Sequence, residues 1–206
     1  MKISHAARWA VPVAAVTLAL TLSGCGAAPW ENYVDPAATP TPTATSKPAE
    51  ITTVVNELAS GSTEHTLSAG NITMEVTYYS DLTMDKWLAE ANKPLTVSMT
   101  ADLANDEGQK IYLAGVSIVA EVSGPNGILA APAPLSDRSN VNPGYLVKAP
   151  YSYIQTFVLP AVDPEATSIK LSIVYDLLLQ TTPTSGEYAK QTTSDTLTIG
   201  IAKPSE

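Results

Sequence analysis

Few residues in this 206-residue chain are equipped for bond-making chemistry. There is one cysteine, Cys25, and of the two histidines only His65 lies in the body of the chain. A serine or cysteine nucleophile needs a base to take its proton. No Gly-x-Ser-x-Gly elbow occurs to go with His65, which is therefore expected to be an edge-strand residue. Zinc normally takes three or four His or Cys ligands, more than the body offers. Copper carriers combine Met with His, but Met74 and Met99 share the parity of the apolar residues around them and are expected to fill the core. Asp102, Asn105, Asp106 and Glu107, just before Gly108, are weak candidates for a Ca²⁺ site. Their spacing is not that of an EF-hand, and Asn, Asp and Gly are also the residues of a hairpin loop, which is expected here. Asp163 and Glu165 sit in a proline-flanked turn with nothing to align them as a hydrolytic pair, and no glycine-rich phosphate loop follows a strand. No metal, no cofactor and no catalytic residue are expected.

Recognition is the chemistry that remains. Tyr145, Tyr151, Tyr153 and Phe157 fall within thirteen residues. Aromatic clusters of this kind serve either as contact surfaces or as one packed strand face, and Tyr151, Tyr153 and Phe157 have the common parity of a core face. With Trp87, the residues Tyr145, Tyr151 and Tyr153 form the candidate binding set, for a peptide, a glycan or a protein. The charge balance narrows the partner. Eleven basic residues against 20 acidic ones give a net charge of −9, which argues against nucleic acid.

The first 24 residues have the pattern of an export signal. Lys2 and Arg8 are their only charges, and Ala10–Leu22 is almost wholly apolar over the length of a signal core, too short to span a bilayer comfortably. The stretch ends in Leu22-Ser23-Gly24-Cys25. Leucine, two small residues and cysteine resemble the lipobox of bacterial lipoproteins. That resemblance implies a diacylglycerol on Cys25, cleavage before it and acylation (palmitate) of the new amino terminus. Acyl chains contribute about 0.8 kcal/mol per buried CH₂, so more than one chain is needed for a stable anchor. Loss of residues 1–24 takes the net charge from −9 to −11. A body that acidic is held off an anionic membrane surface rather than laid on it. The expected location is the extracytoplasmic face of the cell membrane.

Residues 25–50 are rich in Ala, Pro and Thr, as in Pro36-Ala37-Ala38-Thr39-Pro40-Thr41-Pro42. Such a composition cannot bury enough apolar surface to fold, and a disordered, semi-stiff tether reaching about 60–80 Å is expected. Residues 51–206 form the expected domain. Ile51, Val54, Val55 and Leu58 have helical spacing, which predicts one short helix ending near Gly61. From Ser62 onward the period is two. Gly70-Asn71 marks a two-residue hairpin turn before Ile72, Met74, Val76 and Tyr78. Leu95–Leu103 alternates, and so does Ile111–Val122, with a slip at Ala114-Gly115 that predicts a β-bulge. Tyr151–Leu159 is partly apolar on both faces, Ile169–Leu179 alternates without interruption, and Leu197, Ile199 and Ile201 close the body.

About seven half-buried strands with no helices between them predict an all-β fold, an immunoglobulin-like antiparallel β-sandwich over residues 62–203. A cupredoxin-like sandwich or a small barrel is the alternative. Two insertions interrupt the pattern. Residues 81–92, with Trp87, are expected as a short helix or a wide loop plugging one end, and residues 123–150, with five prolines and three glycines, as an irregular crossover carrying recognition surfaces. The Ala/Thr-rich layout also resembles that of uncharacterised lipoproteins of actinobacteria. The expected function is that of a membrane-anchored binding module that meets a protein or cell-envelope partner without a catalytic step. The alternative is an envelope enzyme or a handler of calcium or copper.

Overall fold

The structure, a computed structural model, describes residues 55–204. Cys25, the signal and the tether lie outside the described residues. The chain forms ten strands and no α-helix within that range: β1 (Ser62–Ala69), β2 (Ile72–Tyr79), β3 (Lys93–Leu103), β4 (Ile111–Gly124), β5 (Gly127–Leu129), β6 (Leu135–Arg138), β7 (Tyr145–Leu146), β8 (Tyr153–Leu159), β9 (Ser168–Gln180) and β10 (Tyr188–Gly200). Seven of them are seven residues or longer, four in one sheet and three in the other. One sheet runs β1-β2-β3-β8; the other runs β10-β9-β4, with the three short strands β5, β6 and β7 on the far side of β4. All pairings between these strands are antiparallel.

Alternation in the sequence becomes alternation in burial. Ile72, Met74, Val76 and Tyr78 of β2 and Leu95, Val97, Met99 and Ala101 of β3 are buried. Facing them, from the other sheet, are Ile111, Leu113, Val116, Ile118, Ala120 and Val122 of β4 and Ile169, Leu171, Ile173, Tyr175 and Leu177 of β9. The two inner faces make one continuous core. At about 25 cal/mol per Å² of apolar surface, that burial is the main stabilising term in a body with no disulfide. The slip at Ala114-Gly115 is a bulge: the β4–β9 register shifts between Leu113 and Gly115, so that Leu113 and Val116 both point inward. The β1–β2 turn has a positive φ only at Gly70, the first of its two central residues, as a type II′ turn requires.

Four expectations need correction. The segment expected as a helix from Ile51 to Leu58 is, where described, a turn. Ala59 N–H donates to Asn56 O, Asn56 Oδ1 accepts from Leu58 N–H, and Glu57 N–H is drawn to Thr198 O of β10, so a cap and a strand edge take the bonds a helix would use. The loop between β3 and β4 is no hairpin, because β3 belongs to one sheet and β4 to the other. The crossover over residues 123–150 is partly ordered as strands along β4. Gly144 lets it close down, since a Cβ there would stand 2.6 Å from Leu113 O. Finally, Tyr151 precedes β8, which begins at Tyr153.

Candidate functional site

The sandwich has two long sides where its sheets end, and the sequence builds them from different materials. On one side β1 and β10 come together. The inward parity of β10 is polar at Gln191, Thr193 and Asp195 and apolar at Leu197 and Ile199. Asp195 Oδ2 accepts from His65 Nδ1 of β1 at 2.7 Å and from the Tyr78 hydroxyl of β2, also at 2.7 Å. The Tyr78 hydroxyl directs its only hydrogen at Asp195, so the Tyr175 hydroxyl of β9, 2.9 Å away, donates to Tyr78. Asp195 Oδ1 takes Thr196 N–H, and Glu57 binds Thr198 N–H while its other oxygen lies 3.4 Å from His65 Nε2. The His65 ring meets Tyr78 edge-on at 5.4 Å. Burial, joined by the neighbouring hydroxyl and the Asp195 carboxylate, pushes the Tyr78 hydroxyl far above the usual phenol range, and burial does the same to Tyr175. Both remain proton donors at any physiological pH. The cluster is a satisfied hydrogen-bond chain tying four strands across two sheets. His65 Nε2, the atom a hydrolase would aim at a nucleophile, faces Glu57 instead.

The opposite side is bounded by β8 and the short strands on β4. Tyr153 points inward from β8, and its hydroxyl donates to Asp137 of β6 at 2.8 Å. Burial, joined by that carboxylate, pushes the hydroxyl above the phenol range. Tyr145 lies against it, with ring centroids 5.7 Å apart. Beyond this contact the character changes. Ile154 and Val158, on the outward parity of β8, are 60% and 51% exposed, and Tyr151 just before the strand is 58% exposed. No charged residue occurs from Tyr151 to Val162.

The four candidate aromatics are thus not one surface. Tyr153 is buried, Tyr145 is half-buried against it and Tyr151 alone is exposed. Trp87 is 0% exposed: it follows a single 3₁₀ turn (Met84–Lys86), and its indole N–H donates to Ser80 Oγ at 3.2 Å. Trp87 is therefore a core residue closing one end of the sandwich. Sequence reasoning missed Ile154 and Val158, although a β8 apolar on both faces was the available signal. It also missed Asp195, Tyr78 and Tyr175. There the signal was an acid two residues before Leu197 on the parity of the core.

The oxygen ligands before Gly108 are used locally. Asp106 accepts from Gly108 N–H and from Lys148 Nζ, which hold its carboxyl below the usual range, the lysine contact being the larger influence. Glu107 N–H goes to Gln109, and Asn105 takes a positive φ of 58°. No cluster of three His, Cys, Asp or Glu residues able to hold a metal occurs among the described residues. Met74 and Met99 are buried in the core. Asp163 caps Glu165 N–H, and both lie on an exposed turn.

One end of the sandwich holds a cavity of about 530 Å³ lined by Leu88, Glu90, Pro125, Glu165, Lys203 and Pro204, among others. Its wall is fixed by Lys93, a fully buried lysine whose ammonium donates to the carbonyls of Leu88, Ala89 and Ala91. Burial without a carboxylate partner holds this ammonium below its usual range. No helix among the described residues is long and apolar enough to cross a membrane. The chain matches no protein-family model and no curated protein.

Proposed function

We propose that this chain is an extracytoplasmic lipoprotein, held at the cell membrane by a diacylglycerol on Cys25, whose sandwich is a non-catalytic interaction module for a protein or cell-envelope partner. The observation that carries the binding half is the β8 side. Tyr151, Ile154 and Val158 stand exposed on a stretch without charge, in a chain whose net charge is −9. Exposed apolar residues gathered on and just before one strand are a mark of a contact surface. The anchor half rests on Leu22-Ser23-Gly24-Cys25 at the end of an apolar leader. A structural role for His65 favours binding over catalysis, because both of its nitrogens are directed at carboxylates.

Two measurements test the two halves separately. Mass spectrometry of the membrane-extracted chain should find an amino-terminal peptide beginning at Cys25 and carrying diacylglycerol; a free Cys25 thiol overturns the anchor. A photo-reactive residue in place of Tyr151 should give a discrete crosslinked adduct in intact cells. A chain that stays uncrosslinked there overturns the binding surface.

A further inference from the structure

An edge strand displays unpaired N–H and C=O groups, and folded proteins protect such edges with charge, proline, shortness or a cover. Three of the four sheet edges are protected in that way. β1 carries Glu64 and His65, and His65 is bonded across to β10. β10 carries Lys190 and Asp195. β5, β6 and β7 are only three, four and two residues long, and β6 carries Asp137 and Arg138. β8 has none of these features over Ile154–Val158.

The pairing of β8 with β3 shows which backbone groups are free. Ala101 of β3 directs its N–H and C=O to Val147 and Ala149, on the β8 side, so the alternate residue Thr96, opposite Thr156, turns its backbone groups the other way. Pro94, two residues earlier on β3, turns its carbonyl toward Ser80, on the β2 side. The backbone groups of Ile154, Thr156 and Val158 therefore point away from β3. Among the described residues no other strand or loop bonds to them; Thr156 O accepts only the Gln155 side-chain amide.

What fits this edge is constrained. The prolines of residues 36–48 have no N–H to give a ladder, so the tether is a poor match. A second copy of the chain carries the same net charge of −9 and is repelled over most of its surface. The β8 edge adds no charge to that repulsion, because Pro94, Thr96 and Ser98 beside it on β3 are also uncharged. The edge is also complementary to itself. Antiparallel pairing about a two-fold axis at Thr156 places Ile154 against Val158 of the second copy, and threonine against threonine. All three residues with outward backbone groups then find partners of the same kind.

Deepening the reading of β8 as the contact surface, on which it rests, we infer that β8 pairs antiparallel with β8 of a second copy, Thr156 on the two-fold axis, joining two four-stranded sheets into one. The interface is isologous and closes as a dimer. A contact of this length belongs to the weak class, so its natural setting is a surface that concentrates the chain.

The test uses the full chain with Cys25→Ser, so that an added cysteine is the sole thiol and the outcome does not depend on the anchor. Hydrogen-bonded antiparallel partners have Cα atoms about 5.5 Å apart, within disulfide range. Thr156→Cys should form a covalent dimer on mild oxidation, while Thr192→Cys, exposed on β10, should not. Adding Ile154→Lys should lower the yield of Thr156→Cys dimer more than tenfold, with circular dichroism unchanged. A folded Thr156→Cys chain that stays monomeric, or one that crosslinks no faster than Thr192→Cys, overturns the inference. An adduct at Tyr151 to a foreign protein, with no Thr156→Cys dimer, also overturns self-pairing while leaving β8 as the contact surface.

Discussion

The two long sides of this sandwich solve the same problem in opposite ways. At β1 and β10 the sheets end in side chains that bond one another: Tyr175 to Tyr78, and both Tyr78 and His65 to Asp195. Each polar atom there depends on its neighbours, and the side is closed. On the β8 side the sheets are joined by the inward bond from Tyr153 to Asp137 and by the Val147–Ala149 backbone, which bonds both Ala101 of β3 and Ile111 of β4, while the rest of β8 offers aliphatic side chains and free backbone groups outward. On the function proposed above, the difference separates stability from recognition: residues that hold the fold are satisfied inside it, whereas the residues proposed to meet a partner are those whose removal the fold scarcely feels.

That contrast sets the order of expected effects. Asp195→Ala removes the common acceptor of His65 and the buried Tyr78 hydroxyl, and should cost about 3 kcal/mol of unfolding free energy. Urea denaturation measures it, and a loss below that of Tyr153→Phe would break the comparison. Tyr153→Phe breaks one bond to Asp137 and should cost about 1 kcal/mol in the same assay.

A smaller effect is expected at the pair of exposed Lys190 and half-buried Asp176, 3.1 Å apart on β10 and β9. Burial raises the Asp176 carboxyl, but the bonds from Lys190 and Thr192 outweigh it and leave the group below its usual range. A carboxyl depressed in the folded state stabilises it above its unfolded value of about 3.9, and that contribution is lost as pH falls through the folded value. Lys190→Ala should therefore cost about 0.5 kcal/mol at neutral pH. The deficit should shrink in urea titrations near pH 3, where a constant deficit would remove the ion pair from the account. Smallest of all, Ile154→Lys and Val158→Lys should each change stability by less than about 0.5 kcal/mol, both being exposed. A loss of 2 kcal/mol at either would show that β8 is part of the core and not a surface.

The fold was legible where period and parity are local. Ile72 to Tyr78 and Ile169 to Leu177 announced their faces, and the slip at Ala114-Gly115 announced a bulge. Which sheet a strand joins was not legible, because the turn residues after β3 look the same whether the chain reverses beside β3 or crosses the core to β4. Trp87 illustrates the limit for single aromatics: composition made it a candidate surface, while its burial follows from a 3₁₀ turn that folds it inward. The closed side was hidden by distance, since His65 and Asp195 are 130 residues apart. Half of the open side was visible as a strand apolar on both faces. Tyr151 and Tyr153 have the same parity, but only Tyr153 lies within β8, so the exposed member of the pair could not be told from spacing alone.

Amide hydrogen exchange, read residue by residue by NMR, compares the two sides most directly. In the dilute chain Ile154, Thr156 and Val158 should exchange nearly as fast as unstructured amides, while Tyr78 and Tyr175, in the interior of their sheets, stay protected. At high concentration or on the membrane surface the three β8 amides should become protected together. Protection of those three amides already in the dilute monomer, or its absence under every crowded condition, would contradict an open edge built to be covered.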